Sequence, residues 1–380
     1  MSPLKILNAV EKGQRGIFPA QTLRDFITEG VVTASETITP DLVQPASIDL
    51  RLGQFAWRVQ ASFLPGPDAT VEEKIRAFEM HRLDLSTGAI LEKGCVYIVP
   101  LMESLALPPD ISAFANPKSS TGRLDIFTRV ISDRGNRFDL IRPGYSGPLY
   151  AEVSPRTFSV AVQSGSRLTQ LRLRRGRSEI SPDDLVQLHQ ESRLVDTDID
   201  LDEVLEHQSL TLHLDLSGDS ENGIVGWRAR HHAGIVDVDL PDHYDPSDFW
   251  EPVCARSNAI ILNPDDFYIL ATREEVTVPP DYAAEMVAYD TLVGEFRVHY
   301  AGFFDPGFGW DSEDVSIGSR GVLEVRSHDV PFMLEHEQVI GRLRFERLTA
   351  RPEKIYGAGI GSHYQGQGLK LAKQFKRPTD

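Results

Sequence analysis

From Ser47 onward, apolar and polar positions tend to alternate rather than recur at helical spacing. The run Ser47-Ile48-Asp49-Leu50-Arg51-Leu52-Gly53 reads as a strand with a period of two. Short runs bounded by Gly, Pro and Asp follow, among them Gly94-Cys95-Val96-Tyr97-Ile98-Val99 and Gly147-Pro148-Leu149-Tyr150-Ala151-Glu152-Val153. One helix is expected over residues 19–27, ending near Gly30, and two or three more helical stretches interrupt the strands. Short strands at regular intervals with turn residues between them predict a mainly β protein, built as a sandwich, jelly roll or distorted barrel.

The pattern also repeats. Ile90-Leu91, Tyr97-Ile98 and Pro108-Pro109-Asp110 return as Ile261-Leu262, Tyr268-Ile269 and Pro279-Pro280-Asp281, all at one displacement along the chain. Glu152-Val153 and Leu171-Arg172-Leu173 return, one position later, as Glu324-Val325 and Leu343-Arg344-Phe345. A constant displacement over so long a span predicts two tandem copies of one β-rich domain. The expected division is residues 1–185 and 186–380, with the joint inside an acidic, helix-prone stretch near 180–205. The basic segment Arg172-Leu173-Arg174-Arg175-Gly176-Arg177 leads into that joint and is expected to be a solvated strand end.

Composition narrows the class. The 380 residues are 41% hydrophobic and 25% charged, ordinary for a soluble globular protein with room for two domains. A formal net charge of −17 argues against nucleic acid and anionic membranes as partners. The two cysteines, Cys95 and Cys254, are far apart and imply no disulfide framework, which fits a reducing cytoplasm. The N-terminus has no apolar core of signal length, and no run of about 18 apolar residues occurs.

Against that acidic background one basic turn stands out, Pro117-Lys118-Ser119-Ser120-Thr121-Gly122-Arg123-Leu124. Arginine offers a planar fork of donors, lysine a point charge, and hydroxyls and amides complete a cradle for phosphate oxygens. The alternative is an exposed turn with no ligand. It is not a Walker loop, whose G-x-x-x-x-G-K-[ST] pattern is missing. In the second copy Lys118, Ser119, Ser120 and Arg123 align with Tyr289, Asp290, Thr291 and Gly294. Both cations are lost there and a carboxylate appears, so only the first copy can hold a polyphosphate.

Glu152 and Glu324 each sit in the middle of an apolar strand. A carboxylate there either faces solvent or needs a partner or a task, such as activating water as a general base. His231, His232 and His243, with Asp237, Asp239 and Asp242, match no standard metal spacing and read as a polar linker loop. The H-x-E and P-C-x-x-C signature of a zinc-dependent deaminase does not occur. Ile360-Gly361-Ser362-His363-Tyr364-Gln365-Gly366-Gln367-Gly368 reads either as a segment that folds over a ligand or as a frayed tail.

Four stretches together resemble the dCTP deaminase family of the dUTPase superfamily. They are Gln44-Pro45-Ala46-Ser47-Ile48-Asp49-Leu50-Arg51-Leu52-Gly53, the Lys118 to Arg123 turn, Pro143-Gly144-Tyr145-Ser146-Gly147 with Glu152, and Tyr364-Gln365-Gly366-Gln367-Gly368. The resemblance implies two tandem dUTPase-like distorted β-barrels. It also implies zinc-free hydrolytic deamination of dCTP to dUTP and ammonia, with magnesium carried on the triphosphate. In this reading Lys118, Ser119, Ser120 and Arg123 hold the phosphates and Glu152 is the base, with Arg137 near the cytosine. Gly135 and Gln170 contact the nucleotide, and Tyr356, His363, Tyr364 and Gln367 close over the triphosphate.

This sequence departs from the family pattern at Lys118, usually arginine, and at His363, usually lysine. The family's single-domain trimers build their sites between subunits, so a doubled chain could complete the site between its own two copies. In that case Glu324 replaces Glu152 as the base. A cytoplasmic homo-oligomer is expected. A dUTPase, a bifunctional deaminase–diphosphatase and a non-catalytic nucleotide binder are the alternatives.

Overall fold

The computed structural model describes residues 14–218, 223–288, 296–299, 302–310, 317–327, 329–357 and 368–377. The architecture is mainly β, with two sets of sheets that share one pairing scheme. In the first half, Thr169–Arg175 lies between Gly16–Ile17 and Ile111–Pro117 and also pairs with Ile48–Leu50. Facing it, Val96–Ala106 and Ser146–Pro155 run at the centre of a sheet flanked by Phe55–Val59 and Ile126–Ser132.

The second half repeats these partnerships. Val339–Arg347 lies between Leu210–His213 and Tyr282–Ala288. Phe267–Val276 and Ser319–Ser327 form the centre of the other sheet, flanked by Ile224–Ala229 and Phe296–His299. Alternating inward side chains fill each sandwich, as the period-two pattern requires.

Helices are few and locally specified. Ala20–Thr28 forms where the first helix is expected and buries Leu23 and Phe26. Thr70 and Glu73 make a reciprocal capping box that starts Val71–Phe78. In the joint, Ser181 accepts a hydrogen bond from the Asp184 amide and Pro182 opens the helix Pro182–Ser192, followed by Leu201–His207 capped by Asp200.

Two expectations change. The helix Pro182–Ser192 crosses the division expected at residue 185, and Ile180, Leu185 and Leu188 all pack into the second core. The second half also reaches back, because Val236, Phe249, Trp250 and Phe375 belong to the first core. Val236–Asp237 adds a parallel strand beside Val160–Val162, and the Phe375 ring meets Tyr244, Phe249 and Trp250. The cores therefore interlock instead of sitting side by side.

The basic segment is likewise no solvated strand end. Arg172 is fully buried, and Arg175 is nearly so. The strand carrying Arg172 abuts the second half. There its guanidinium donates to the carbonyls of Ala284 at 3.1 Å and Phe304 at 3.0 Å, and to Asp305 Oδ1 at 3.1 Å. It also stacks 4.0 Å from the Phe303 ring centroid. A charge run looks solvated in one dimension, whereas here carbonyls and a carboxylate from the other half replace the water.

Arg172→Ala strands Asp305 and these carbonyls in a dry seam. The expected cost is about 3 kcal/mol or more of unfolding free energy by urea titration. A loss below about 1 kcal/mol would mean that water already reaches the segment.

Candidate active site

The cradle begins where the strand Ile111–Pro117 ends. Pro117 stops the ladder, Lys118 stays extended, and Ser119–Gly122 makes one helical turn closed by the Arg123 amide on the Ser119 carbonyl at 3.0 Å. Asp125 then takes a left-handed conformation with φ 54° and reverses the chain. The turn leaves Ser119 exposed and draws Arg123 almost wholly inside. Lys118 Nζ pairs with the buried Asp49 of the Ser47-Ile48-Asp49 strand. Ser47 Oγ donates to Gln170 Oε1 at 3.3 Å, which sets Gln170 beside the cradle.

A cleft of about 380 Å³ opens in front of these groups, and its far wall belongs to the second half. The first half supplies Lys118, Ser119, Ser120, Arg123 and Gln170, and the second supplies Phe304, Asp305, Val322, Glu324 and Tyr356. Tyr356 is placed by the Asp305-Pro306-Gly307-Phe308 turn, whose Pro306 carbonyl accepts the Tyr356 amide at 2.7 Å. Gly307 has φ 90°, and a Cβ there would lie 2.7 Å from that of Ile355, so glycine is required for the close approach.

Glu324 is the buried acid of this cleft, only 6% exposed. Loss of water pushes its carboxyl up to about 8, with Arg123 pulling the other way and Asp125 adding to the rise. Asp305, also raised by burial, is held against Arg172. Lys373 enters from the C-terminal segment, its ammonium pushed down by burial and then by Lys118. Arg123 Nη1 donates to the Lys370 carbonyl at 2.9 Å. The chain on either side of residues 358–367 thus reaches the cleft. His363, Tyr364 and Gln367 lie outside the described residues.

Glu152 is not in this cleft, a correction to its expected place beside the cradle. It is buried in the opposite sheet of its own sandwich, where Arg129 holds Oε1 at 2.6 and 3.2 Å. Arg129 in turn lies 3.4 Å from the Phe138 ring centroid. Arg137 is exposed and does not line the cleft. Nor does Gly135, whose amide donates to the Ser132 carbonyl and whose carbonyl accepts from Gly66. The reason is geometric: a cradle ending one sheet and an acid inside the facing sheet are kept apart by the sandwich core. The equivalent strand of the other half has to bring the acid across.

Asp305 and Lys373 were not singled out from sequence. The first had a signal, because Asp305-Pro306-Gly307 stands in the second half where the first has Arg142-Pro143-Gly144. The second half lacks the cradle cations, and the first has Arg142 in place of Asp305. Lys373 had no signal, since only the returning C-terminal chain brings it near.

The family described as 2'-deoxycytidine 5'-triphosphate deaminase matches twice, its N-terminal domain over residues 14–177 and its C-terminal domain over residues 181–375. A solved structure of 2'-deoxycytidine 5'-triphosphate deaminase from Agrobacterium tumefaciens is 53% identical, with a TM-score of 0.84. The match covers 88% of this chain and 99% of that one.

A "dCTP deaminase, dUMP-forming" from Beutenbergia cavernae is 37% identical over 29% of this chain and 54% of its own length. A "dCTP deaminase" from Natronomonas pharaonis is 30% identical over 39% of this chain and 75% of its own. The first curated relatives are matched over about half to two thirds of their length, 54%, 67% and 62%.

A carboxyl near 4.5 unfolded and about 8 folded takes up a proton on folding between those values. Its contribution to stability is intact below the unfolded value and falls as pH rises toward 8. Glu324→Gln should therefore gain stability over the parent as pH rises from 5 to 8. Parallel melting curves across that range would contradict the buried, proton-holding acid.

Proposed function

Because the chain belongs to the 2'-deoxycytidine 5'-triphosphate deaminase family, we propose that it hydrolyses the exocyclic amino group of dCTP in the cleft between its two halves. One observation carries the reading: the cationic turn of the first half and the buried Glu324 of the second line one cavity. Two β-sandwiches with the same pairing scheme, each retaining half of a site, also support descent from a duplicated domain.

In this reading the triphosphate, with roughly four negative charges, is held by Arg123 and Lys118 with the hydroxyls of Ser119 and Ser120. Anchoring the phosphates fixes the ring against Glu324 and a water molecule, so that the reacting atoms meet without a further entropy cost. Glu324 takes a proton from water as its oxygen adds to the ring carbon bearing the amino group, and passes that proton to the adjacent ring nitrogen. The remaining hydroxyl proton then reaches the amino group through the same carboxylate. Ammonia leaves as the carbonyl of uracil forms.

A base that must bind and release protons near neutrality suits a carboxyl displaced upward by burial. Asp305, fixed by Arg172, is placed to accept hydrogen bonds from the nucleoside side of the cleft.

Among the described residues no three His, Cys, Asp or Glu side chains converge on a metal position. In this reading magnesium is carried by the phosphate oxygens themselves, where it offsets their charge. Both walls of the cleft come from one chain, so the groups named here need no second subunit. Among the described residues no helix is long and apolar enough to cross a membrane.

Five of the first relatives carry "dUMP-forming" in their names, which favours a second reading in which the phosphate chain is also cleaved. Incubation with dCTP and magnesium separates the readings, dUTP with ammonia supporting the first and dUMP with pyrophosphate the second. No ammonia from dCTP would reject both.

Glu324→Gln should lose at least about a hundredfold in kcat while still binding dCTP. Glu152→Gln should keep turnover within about threefold, which reverses the roles if the outcomes are exchanged. Arg123→Ala should weaken dCTP binding by about 1.5–3 kcal/mol, measured by titration calorimetry.

A further inference from the structure

Two residues beyond the cradle's Arg123, and two beyond Glu324, a second pair of opposite charges meets across the seam. Asp125 is 1% exposed and accepts from Arg326 Nε at 3.0 Å, from Arg326 Nη2, and from Thr157 Oγ1 at 2.6 Å. Arg326 also donates to Thr157 Oγ1 at 2.7 Å and to the Asp265 carbonyl at 2.6 Å. Glu324 and Arg326 alternate with Val325 along one strand, so both side chains leave the same face of the sheet. Across the seam Arg123 and Asp125 stand in the same order with the signs exchanged.

The arrangement is confined to this seam. On the first half's equivalent strand, Glu152 is followed two residues later by Ser154, and its cation comes from Arg129 of the neighbouring strand. At the repeat displacement the position of Asp125 is taken by Phe296.

We propose that the Asp125–Arg326 ion pair is a positioning element for deamination. It locks the strand of Glu324 in register with the cradle and offsets part of the negative charge that Asp125 turns on Glu324. The inference rests on the reading of Glu324 as the general base. Two guanidinium donors on one oxygen of the buried Asp125, tied also to a threonine, resist the small sliding that would move a base away from its water.

The electrostatic part follows from the groups around Glu324. From the cradle segment, Arg123 favours its carboxylate and Asp125 opposes it. Asp41, Lys118, Arg167, Asp305, Arg320 and Lys373 are the other charged groups on the cleft walls. In its own sheet Glu324 is paired in register with the apolar Ile269 on one side and with His299 on the other. Arg326 is the cation that occupies Asp125.

The test is the pH dependence of kcat/KM for dCTP in the full chain. Activity needs the ionised base, so its acid limb reports the Glu324 carboxyl. In Arg326→Gln, Asp125 loses its cation and disfavours a second negative charge nearby. The limb should move to higher pH by about half a unit or more. In Asp125→Asn, the unpaired Arg326 favours the carboxylate and the limb should move to lower pH. The double variant should bring it back toward the parent.

A merely structural pair would lower activity in both single variants without opposite displacements. Limbs that stay put or move together overturn the assignment. Arg326→Lys keeps the charge and should hold the parental limb. It stands in if Arg326→Gln does not fold, and an upward displacement in it would also overturn the proposal. Loss of turnover in Glu324→Gln with unmoved limbs in the pair variants rejects the ion pair's role alone. Turnover retained in Glu324→Gln rejects the base assignment and this proposal together.

Discussion

A carboxylate deprived of water, set beside a guanidinium from the other half of the chain, is the constraint on which the molecule depends. Glu324 lies in a strand whose sheet partners are largely apolar, and Arg123 of the other half supplies the charge that favours its ionised form. Burying an acid is unfavourable unless its surroundings supply charge or let it keep a proton, and here both occur. The packing of the two halves is therefore inseparable from the chemistry of the cleft. Arg172, buried against Phe304 and Asp305, and Arg326, buried against Asp125, hold the same seam at neighbouring points.

Much of the fold was legible because its signals are local or periodic. Alternation along Ile48–Leu50 and Val96–Ala106 marked strands, and Pro19 with Gly30 bracketed the first helix. Matching dipeptides at one displacement marked the doubling, and the paired sheets have corresponding partners. What periodicity could not show was which half a residue packs into. Ile180 and Leu185 belong to the second core although they precede or meet the expected division, and Phe375 returns to the first. Burial of Arg172 was equally hidden, since a run of arginines carries no information about carbonyls from another part of the chain.

The site was half legible for a related reason. Residue types marked the cationic turn, and the loss of its cations in the second copy marked the half that lacks it. The acid was harder, because Glu152 and Glu324 each precede a valine in the middle of an apolar strand. Only the three-dimensional arrangement separates an acid paired with Arg129 inside one sandwich from an acid opening onto the other half's cradle. The Arg142 to Asp305 exchange was the available clue, as it mirrors the loss of the cradle in the opposite direction.

The returning C-terminal segment has a consequence for traffic through the cleft. Its Phe375 is lodged among Tyr244, Phe249 and Trp250, while a few residues earlier Lys373 lines the cavity and the Lys370 carbonyl accepts from Arg123. Swinging the halves apart like a clamshell would drag that aromatic anchor out of a packed interior, an event on the scale of unfolding. Access to the cleft therefore lies at its rim, where local rearrangement leaves that anchor in place.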